Sequence, residues 1–317
     1  MKKRSISRKL MDMLKTGVFK SITDTVRIDP YLDMEMRGDD GIMIYYRGGK
    51  VLTVNEHQVI EGLDSNYYSA NDIVIPLPQL NKQDSFPEYL RLAKKQIDLH
   101  EFSIKGGRKQ SKLIEKEFQQ RVVFENNLSA NAENTDYFIA DVEWADNNTL
   151  GGRADIVAFR WNHMEHSKKV LQLTLIEVKQ GDKAIKTTNS KDGKLSAGLK
   201  KHYEDFLKFK ENHKYVESVS IDMLEVLKQK VDLGLIKGLD KLFVSGNHKY
   251  NPAIEPTPDF VFLLANYHHY GSKLPEECKQ LPPESRFFMS SLMGYGLYKD
   301  FIVSMKELEE KWPLIFK

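Results

Sequence analysis

Two segments of this chain place charged side chains inside runs of apolar residues that otherwise have the composition of buried β-strands. One is GRADIV at 152–157, which carries Asp155, and the other is LIEVKQ at 175–180, which carries Glu177 and Lys179. Burying a charge is costly unless a metal ion or an opposite charge compensates for the lost hydration. These three residues are therefore the strongest candidates for a functional site.

The segments around these residues predict an α/β fold with a central mixed β-sheet flanked by helices. Apolar runs separated by turn residues predict a meander of three strands over 137–144, 153–161 and 170–179. Apolar residues at helical spacing predict a helix over 109–127 before the meander. The later predictions are a loop over 181–195, helices over 196–212 and 220–233, strands over 241–245 and 259–264, and a terminal helix over 303–312.

Residues 1–105 are predicted to form a small α+β accessory module in front of the sheet. The first 40 residues lack a clean hydrophobic period and indicate an irregular or helical segment. Two apolar runs joined by RGGK at 47–50 predict a β-hairpin over 41–54, because glycines supply the positive φ angles of a tight turn.

A second part of this module is predicted from its prolines. The run at 73–78 contains two prolines and indicates an edge strand or an extended connection. Ser85 is the predicted N-cap of a helix that continues to about residue 101. Gly106-Gly107 then marks the predicted boundary with a second domain over 106–317, which holds the candidate site and a C-terminal extension.

The composition is that of a soluble globular protein. Hydrophobic residues make up 41% and charged residues 29% of the 317 residues. No apolar stretch approaches the length of about 18 residues that a membrane-spanning helix needs, and the basic N-terminus lacks the apolar run of a secretory signal. Cys278 is the single cysteine, so no internal disulfide can form, and we expect a cytoplasmic protein.

Two carboxylates and a lysine are the groups that metal-dependent cleavage of a phosphodiester requires. Mg²⁺ takes oxygen ligands, which Asp155 and Glu177 supply, and the ion polarises the phosphoryl oxygen and acidifies the attacking water. Residues at i and i+2 of a strand share a face, so Lys179 is expected beside Glu177, where it holds or deprotonates that water.

This order of elements resembles the PD-(D/E)XK phosphodiesterase superfamily, the fold of many restriction endonucleases and Holliday junction resolvases. The resemblance covers about residues 109–212 and rests on a helix with an acidic residue, an Asp on the second strand and Glu-X-Lys on the third. The matching positions here are Glu115, Asp155 and Glu177-Val178-Lys179. The resemblance implies a restriction endonuclease-like core and a Mg²⁺-dependent deoxyribonuclease, in which Mn²⁺ is expected to substitute for Mg²⁺.

Within the resemblance, Asp155, Glu177 and Glu115 would hold the metal and Lys179 would act in catalysis. The choice in the helix stays open, because the spacing of Glu115 to Phe118 favours Glu115, whereas a helical wheel places Glu117 nearer the apolar face. Two positions depart from the family pattern. Ala154 stands where the family name has proline, and Leu199 stands where some members have the Gln of a Gln-X-X-X-Tyr motif.

The net charge is only +2, so the overall charge does not by itself indicate a nucleic-acid-binding protein. Local clusters of basic residues are therefore the candidates for contacts with nucleic acid. Each cluster taken alone also fits an ordinary solvated face. The expected phosphate contacts are Lys200, Lys201 and His202, on the helix that follows Glu177 and Lys179. The further basic residues are Lys94, Lys95, Lys105, Arg108, Lys109, Lys183, Lys186, Lys191, Lys194, Lys208 and Lys210.

The charged residues also fit interpretations other than a nuclease site. Glu177 and Lys179 also fit a same-face ion pair of small energetic value, and the chain also fits a non-catalytic nucleic-acid-binding or assembly protein that retains the nuclease fold. Asp141 and Glu143 are expected to form a solvent-facing pair, and Cys278 to be inert. Substrate shape, DNA against RNA, sequence specificity, biological pathway and oligomeric state, including a homodimer, are left open.

Overall fold

The fold is α/β, with a mixed multi-stranded sheet flanked by helices. The computed structural model describes residues 2–68, 74–79, 82, 85–103, 108–145, 153–161, 170–245, 248–249, 251–265, 273–289, 297 and 302–311. The predicted boundary at Gly106-Gly107 lies outside these residues. No helix in the described ranges is long and apolar enough to cross a membrane.

The N-terminal residues form two helices and a four-stranded antiparallel sheet in the order β1-β2-β3-β4. The predicted hairpin is confirmed as β2 and β3, and its two-residue turn holds Arg47 and Gly48 at φ angles of 47° and 78°. The elements are α1 (Arg8–Lys15), α2 (Lys20–Ile28), β1 (Leu32–Met36), β2 (Ile42–Tyr46), β3 (Gly49–Val54) and β4 (Ile60–Glu61), with short 3-10 turns at Gly38–Asp40 and Ser65–Tyr67.

Two long helices follow, α3 (Ser85–Ser103) and α4 (Arg108–Asn127). Both agree closely with the predicted helices. Ser85 is the first residue of α3, and its hydroxyl accepts a hydrogen bond from the backbone N–H of Gln79 at 2.6 Å, so it does not act as the predicted N-cap. Residues 74–79 have no regular secondary structure, in agreement with the extended connection.

The central sheet has the order β15-β14-β13-β7-β6-β5. The predicted antiparallel meander is confirmed, and β13 pairs in parallel with both β7 and β14, which makes the sheet mixed. A short strand, β12, also pairs in parallel with the beginning of β7. The bounds are β5 (Tyr137–Ala145), β6 (Arg153–Arg160), β7 (Val170–Gln180), β12 (Ala253–Ile254), β13 (Asp259–Ala265), β14 (Arg286–Met289) and β15 (Val303–Ser304).

The segment after β7 is more regular than predicted. Residues 181–195 contain a short helix and the first strand of a small hairpin, not only a loop, and the strand expected at 241–245 is mostly helical. The elements are α5 (Asp182–Ile185), β8 (Thr188–Asn189), β9 (Leu195–Ala197), α6 (Leu199–Glu211), α7 (His213–Asp232), α8 (Asp240–Phe243), β10 (Val244–Ser245), β11 (His248–Lys249), α9 (Leu274–Cys278) and α10 (Met305–Lys311), with a 3-10 turn at Ala132–Asn134.

The two faces of the central sheet belong to two buried apolar clusters. Phe118 and Val122 of α4 pack with Ile176 and Val178 of β7 in the smaller cluster. Leu175 belongs to the larger cluster, which also contains buried residues of α6, α7 and the N-terminal sheet. Because strand residues alternate between faces, Glu177 and Lys179 lie on the face of Leu175, opposite Val178.

Candidate active site

Antiparallel pairing of β6 and β7 brings Asp155 and Glu177 to adjacent positions. Ile156 pairs with Ile176 in the register of these strands, so Asp155 and Glu177 occupy the next opposed positions. Opposed residues of an antiparallel pair point to the same face. Asp155 is 9% exposed and Glu177 is 4% exposed, which places two carboxyl groups in a largely buried environment.

Glu177 is the centre of a cluster of charged side chains. Its Oε1 atom lies 2.5 Å from Nζ of Lys179 and 3.0 Å from Nδ1 of His202 on α6. Lys179 is 7% exposed, so this is a buried pair and not the weak surface pair that Glu-X-Lys alone permits. Buried charges of this kind depend on one another, because removal of one partner leaves the other without compensation.

Asp155 differs from Glu177 in its hydrogen bonds and in its pKa. Its Oδ2 atom accepts a hydrogen bond from the backbone N–H of Val178 at 2.7 Å, which fixes the carboxyl group against the neighbouring strand. Burial and the nearby charge of Glu177 raise the pKa of Asp155 well above its usual range, against the opposing effect of Lys179. Asp155 therefore takes up a proton more readily than an ordinary aspartate does.

The pKa of Glu177 shifts in the opposite direction. Burial raises this pKa, but the hydrogen bond from His202 and the charge of Lys179 outweigh burial and hold it below its usual range. As the pH falls, Asp155 is therefore protonated before Glu177. Two neighbouring carboxyl groups with separated pKa values are a common arrangement of sites that bind metals or transfer protons.

The two acidic candidates on α4 have different surroundings. The charges of Lys179 and Glu177 act on Glu115, and burial raises the pKa of this residue. Glu117 instead forms ion pairs with Arg121 at 2.9 Å and Arg47 at 3.3 Å. The structure therefore brings Glu115 near the buried carboxylates, whereas arginines engage Glu117.

The three predicted phosphate contacts on α6 also differ in their surroundings. His202 contacts Glu177, which sequence reasoning did not anticipate, because the two residues lie on different elements. Lys201 forms an ion pair with Asp205 one turn later. Lys200 is half-buried at the start of the helix. The sequence does show a histidine, His202, on the helix that follows Glu-X-Lys. Its contact with Glu177 could not be predicted, because it depends on how α6 packs against β7.

The free oxygen atoms of the two carboxyl groups fit a hard cation. Among the described residues, none donates a hydrogen bond to Oδ1 of Asp155 or to Oε2 of Glu177, while their other oxygens are engaged. Oxygen donors of this type suit Mg²⁺ or Mn²⁺, which complete their shells with water and substrate oxygens. Within the described ranges, no three His, Cys, Asp or Glu residues are grouped as a ready metal cluster.

The prediction for Asp141 and Glu143 is wrong. Asp141 is fully buried and pairs with Arg37 at 2.5 Å and Arg4 at 3.2 Å. Glu143 is exposed and has a φ angle of 52°, and the pairing of β5 with β6 shifts register between Ile139 and Asp141. This irregularity interrupts the alternation on which the shared face was predicted.

Cys278 is buried in α9, and burial raises the pKa of its thiol to about 12. The thiol is therefore protonated and unreactive at neutral pH, as predicted. Comparison with protein-family models, with curated proteins and with solved structures finds no match to this chain.

Proposed function

We propose that this protein is a metal-dependent nuclease with a restriction endonuclease-like core, which hydrolyses phosphodiester bonds in DNA. The observation that carries the proposal is the juxtaposition of Asp155, Glu177 and Lys179, all more than nine-tenths buried at one end of two paired strands. Such a costly grouping is retained most readily where chemistry requires it.

Asp155 and Glu177 are the proposed metal ligands, with Glu115 as an outer or second-metal carboxylate. A bound Mg²⁺ supplies Lewis-acid polarisation of the phosphoryl oxygen and lowers the pKa of the attacking water. The hydrogen bond from Val178 orients Asp155, and His202 orients Glu177. Both carboxyl groups are thus held in position before a ligand arrives, which reduces the cost of binding.

Lys179 is the proposed catalytic partner of these ligands. Its Nζ atom is held beside Glu177 at 2.5 Å, which places a cation where negative charge develops in phosphodiester hydrolysis. From this position the lysine orients the attacking water and takes part in its deprotonation. Lys200 at the start of α6, with Lys201 and His202, supplies positive charge for the phosphate backbone.

One observation favours a second candidate, a non-catalytic nucleic-acid-binding protein with the same fold. Glu177 already accepts hydrogen bonds from both Lys179 and His202, so its charge is compensated without a metal ion. In this case DNA binding would weaken with salt, and no cleavage would accompany it.

The test is a cleavage assay on duplex, single-stranded and branched DNA and on RNA, with Mg²⁺, with Mn²⁺ and with chelator. Asp155→Asn preserves the shape of the side chain and removes its charge, and Asp24→Asn on α2, a half-exposed aspartate paired with Lys20, is the control. We expect cleavage of DNA that requires the metal, is lost in Asp155→Asn and persists in Asp24→Asn.

Two results would contradict the proposal. Cleavage that survives in Asp155→Asn would place the active site elsewhere or identify a contaminant. Salt-sensitive DNA binding without cleavage under any metal condition, and without metal-dependent stabilisation of the fold, would favour the second candidate.

A further inference from the structure

A cavity of about 260 Å³ lies between the N-terminal sheet and the central sheet. Its walls come from β1, the turn between β2 and β3, α4 and β5. The volume is slightly below the range of about 300 Å³ and more that is typical of small-molecule sites. The cavity therefore accommodates a ligand of one or two rings, but not an extended cofactor.

Three buried polar atoms in the walls of the cavity have no hydrogen-bond partner in the part of the chain that the structure describes. Asp33 and Gln119 are 6% and 2% exposed, and Oδ2 of Asp33 and Nε2 of Gln119 make no hydrogen bond among the described residues. Nε2 of Gln120 is also unpaired there, while its Oε1 accepts from the N–H of Gly48 at 2.8 Å. Buried polar groups are normally paired, so these atoms indicate a polar ligand.

The charges around the cavity favour a neutral ligand. Asp33 and Glu143 oppose a phosphate or carboxylate, and Lys116 opposes a cation. Arg37 lines the cavity but is engaged with Asp141 at 2.5 Å. Burial raises the pKa of Asp33 despite the opposing charge of Lys230.

Tyr45 contributes an aromatic ring to the wall of the cavity. Its ring is half-buried, and the guanidinium of Arg37 lies 6.0 Å from the ring centroid. Amide groups, a carboxyl group and an aromatic ring are the groups with which proteins bind an unpaired nucleobase, by hydrogen bonds to its edge and stacking on its face.

The cavity adjoins the candidate active site. Lys116 lines the cavity and directly follows Glu115 on α4. Glu143 also lines the cavity, and it stands opposite Asp155 in the register of β5 and β6, between the pairs Val142–Ile156 and Trp144–Ala154. A nucleotide that places its phosphate near Asp155 and Glu177 would therefore have a neighbouring base within reach of the cavity.

We propose that this cavity binds the base of an unpaired nucleotide in the substrate strand, beside the phosphodiester that is cleaved. The inference rests on the proposed nuclease function and assigns the substrate class, a nucleic acid with a single-stranded or extruded nucleotide. It also assigns a role to the N-terminal sheet, whose Asp33 and Tyr45 form half of the cavity.

The test measures binding of a fluorescent single-stranded oligonucleotide in chelator, so that cleavage does not contribute. The oligonucleotide is compared with versions that carry one abasic nucleotide at successive positions. Gln119→Met preserves side-chain length and removes hydrogen-bonding capacity. Gln58→Met is the matched control, because Gln58 is exposed beyond the far end of β3. Thermal unfolding checks that each variant is folded.

We expect one abasic position to weaken binding to the wild type by about tenfold, in line with the discrimination that base contacts give. Gln119→Met should weaken binding of the intact strand similarly and leave binding of the abasic strand unaffected, since the substitution and the abasic nucleotide remove the same interaction. Gln58→Met should bind as the wild type does.

Equal binding of intact and abasic strands by the wild type would overturn the inference. Tight binding of free mononucleotides that depends on Gln119, without binding of the strand, would overturn the assignment to a substrate strand. Neither result bears on the nuclease proposal, which depends on metal-dependent cleavage and on Asp155.

Discussion

The Nζ atom of Lys179 lies 2.5 Å from Oε1 of Glu177, and both side chains are more than nine-tenths buried. His202 approaches the same oxygen atom from α6. The pair is therefore part of a three-residue cluster in a low-dielectric environment, where each charge depends strongly on its neighbours. Replacing either residue of the Glu177–Lys179 pair should therefore change stability and activity more than replacing a residue of a surface ion pair.

Lys179→Met should reduce the rate of DNA cleavage by about 10²–10⁴-fold, the usual contribution of a positioned acid–base group. The apolar chain of methionine fills most of the space of lysine but cannot hold a water molecule. Lys20→Met is the control, because Lys20 is exposed on α2 and forms a surface ion pair with Asp24. Single-turnover kinetics at saturating metal measure the effect, and equal rates for the two variants would exclude a catalytic role for Lys179.

Glu115→Gln and Glu117→Gln should separate the two acidic candidates on α4. Glu115 lies near Lys179 and Glu177, so its amide variant should need more Mg²⁺ for half-maximal cleavage. Glu117 is bound to Arg121 and Arg47, and its amide variant should cleave within about twofold of the wild type, with a stability loss below about 1 kcal/mol. Metal titrations of both variants make the comparison, and the opposite order would assign the role to Glu117.

The acidic limb of the pH–rate profile should have an apparent pKa above the usual pKa range of an aspartic acid. Burial and the charge of Glu177 raise the pKa of Asp155, and a protonated carboxyl group does not bind a metal ion. Cleavage should therefore increase as the pH rises through this pKa. Added Mg²⁺ competes with the proton and should move the limb to lower pH, so a limb that is independent of Mg²⁺ would argue against Asp155 as a ligand.

Lys230→Met should destabilise the protein by about 3–5 kcal/mol, because it leaves Glu35 buried with only the more distant Arg37, at 3.5 Å, to compensate its charge. Nζ of Lys230 lies 2.8 Å from Oε1 of Glu35, and both residues are almost completely buried. Lys228→Met on the same helix is the control, since Lys228 pairs with a half-exposed Glu225 at 3.6 Å and should cost less than about 1 kcal/mol. Equilibrium urea unfolding measures both, and equal losses would contradict this account.

Asp141 should make stability decrease as the pH rises from about 4 to about 6. Burial raises the pKa of Asp141 to about 6, against the opposing charges of Arg37 and Arg4. In this window the folded protein holds a proton that the unfolded chain has lost, so the free energy of unfolding falls with pH, by up to about 3 kcal/mol. The difference in the free energy of unfolding between wild type and Asp141→Asn, measured across this pH range, isolates the contribution of Asp141. A difference that does not change with pH would exclude this contribution.

Much of the fold was predictable because its signals are local. The meander of β5, β6 and β7 follows from apolar runs and turn residues, α3 and α4 follow from helical periodicity, and the β2–β3 hairpin follows from its glycines. The polar segment after β7 gave no such signal. Its short helix and the β8–β9 hairpin contain few apolar residues, so their formation depends on tertiary contacts.

Strand β1 shows where local reasoning failed. Its sequence, LDMEM, carries Asp33 and Glu35, which normally indicate a surface segment, yet all five residues are buried. Lys230 of α7 and Arg37 compensate for these charges. Arg37 is only two residues from Glu35, but Lys230 cannot be identified as a partner without the fold, because it is 195 positions away from Glu35 in the chain.

The sequence alone determined the α/β class, the order of the central elements and the identity of Asp155, Glu177 and Lys179 as costly charges in apolar strands. Only the tertiary structure decided how the charges are compensated. It brought His202 to Glu177, distinguished Glu115 from Glu117 and formed the cavity that contains Asp33 and Gln119. The physical reason is that burial costs can be read from local composition, whereas the partners that offset those costs come from distant elements packed together.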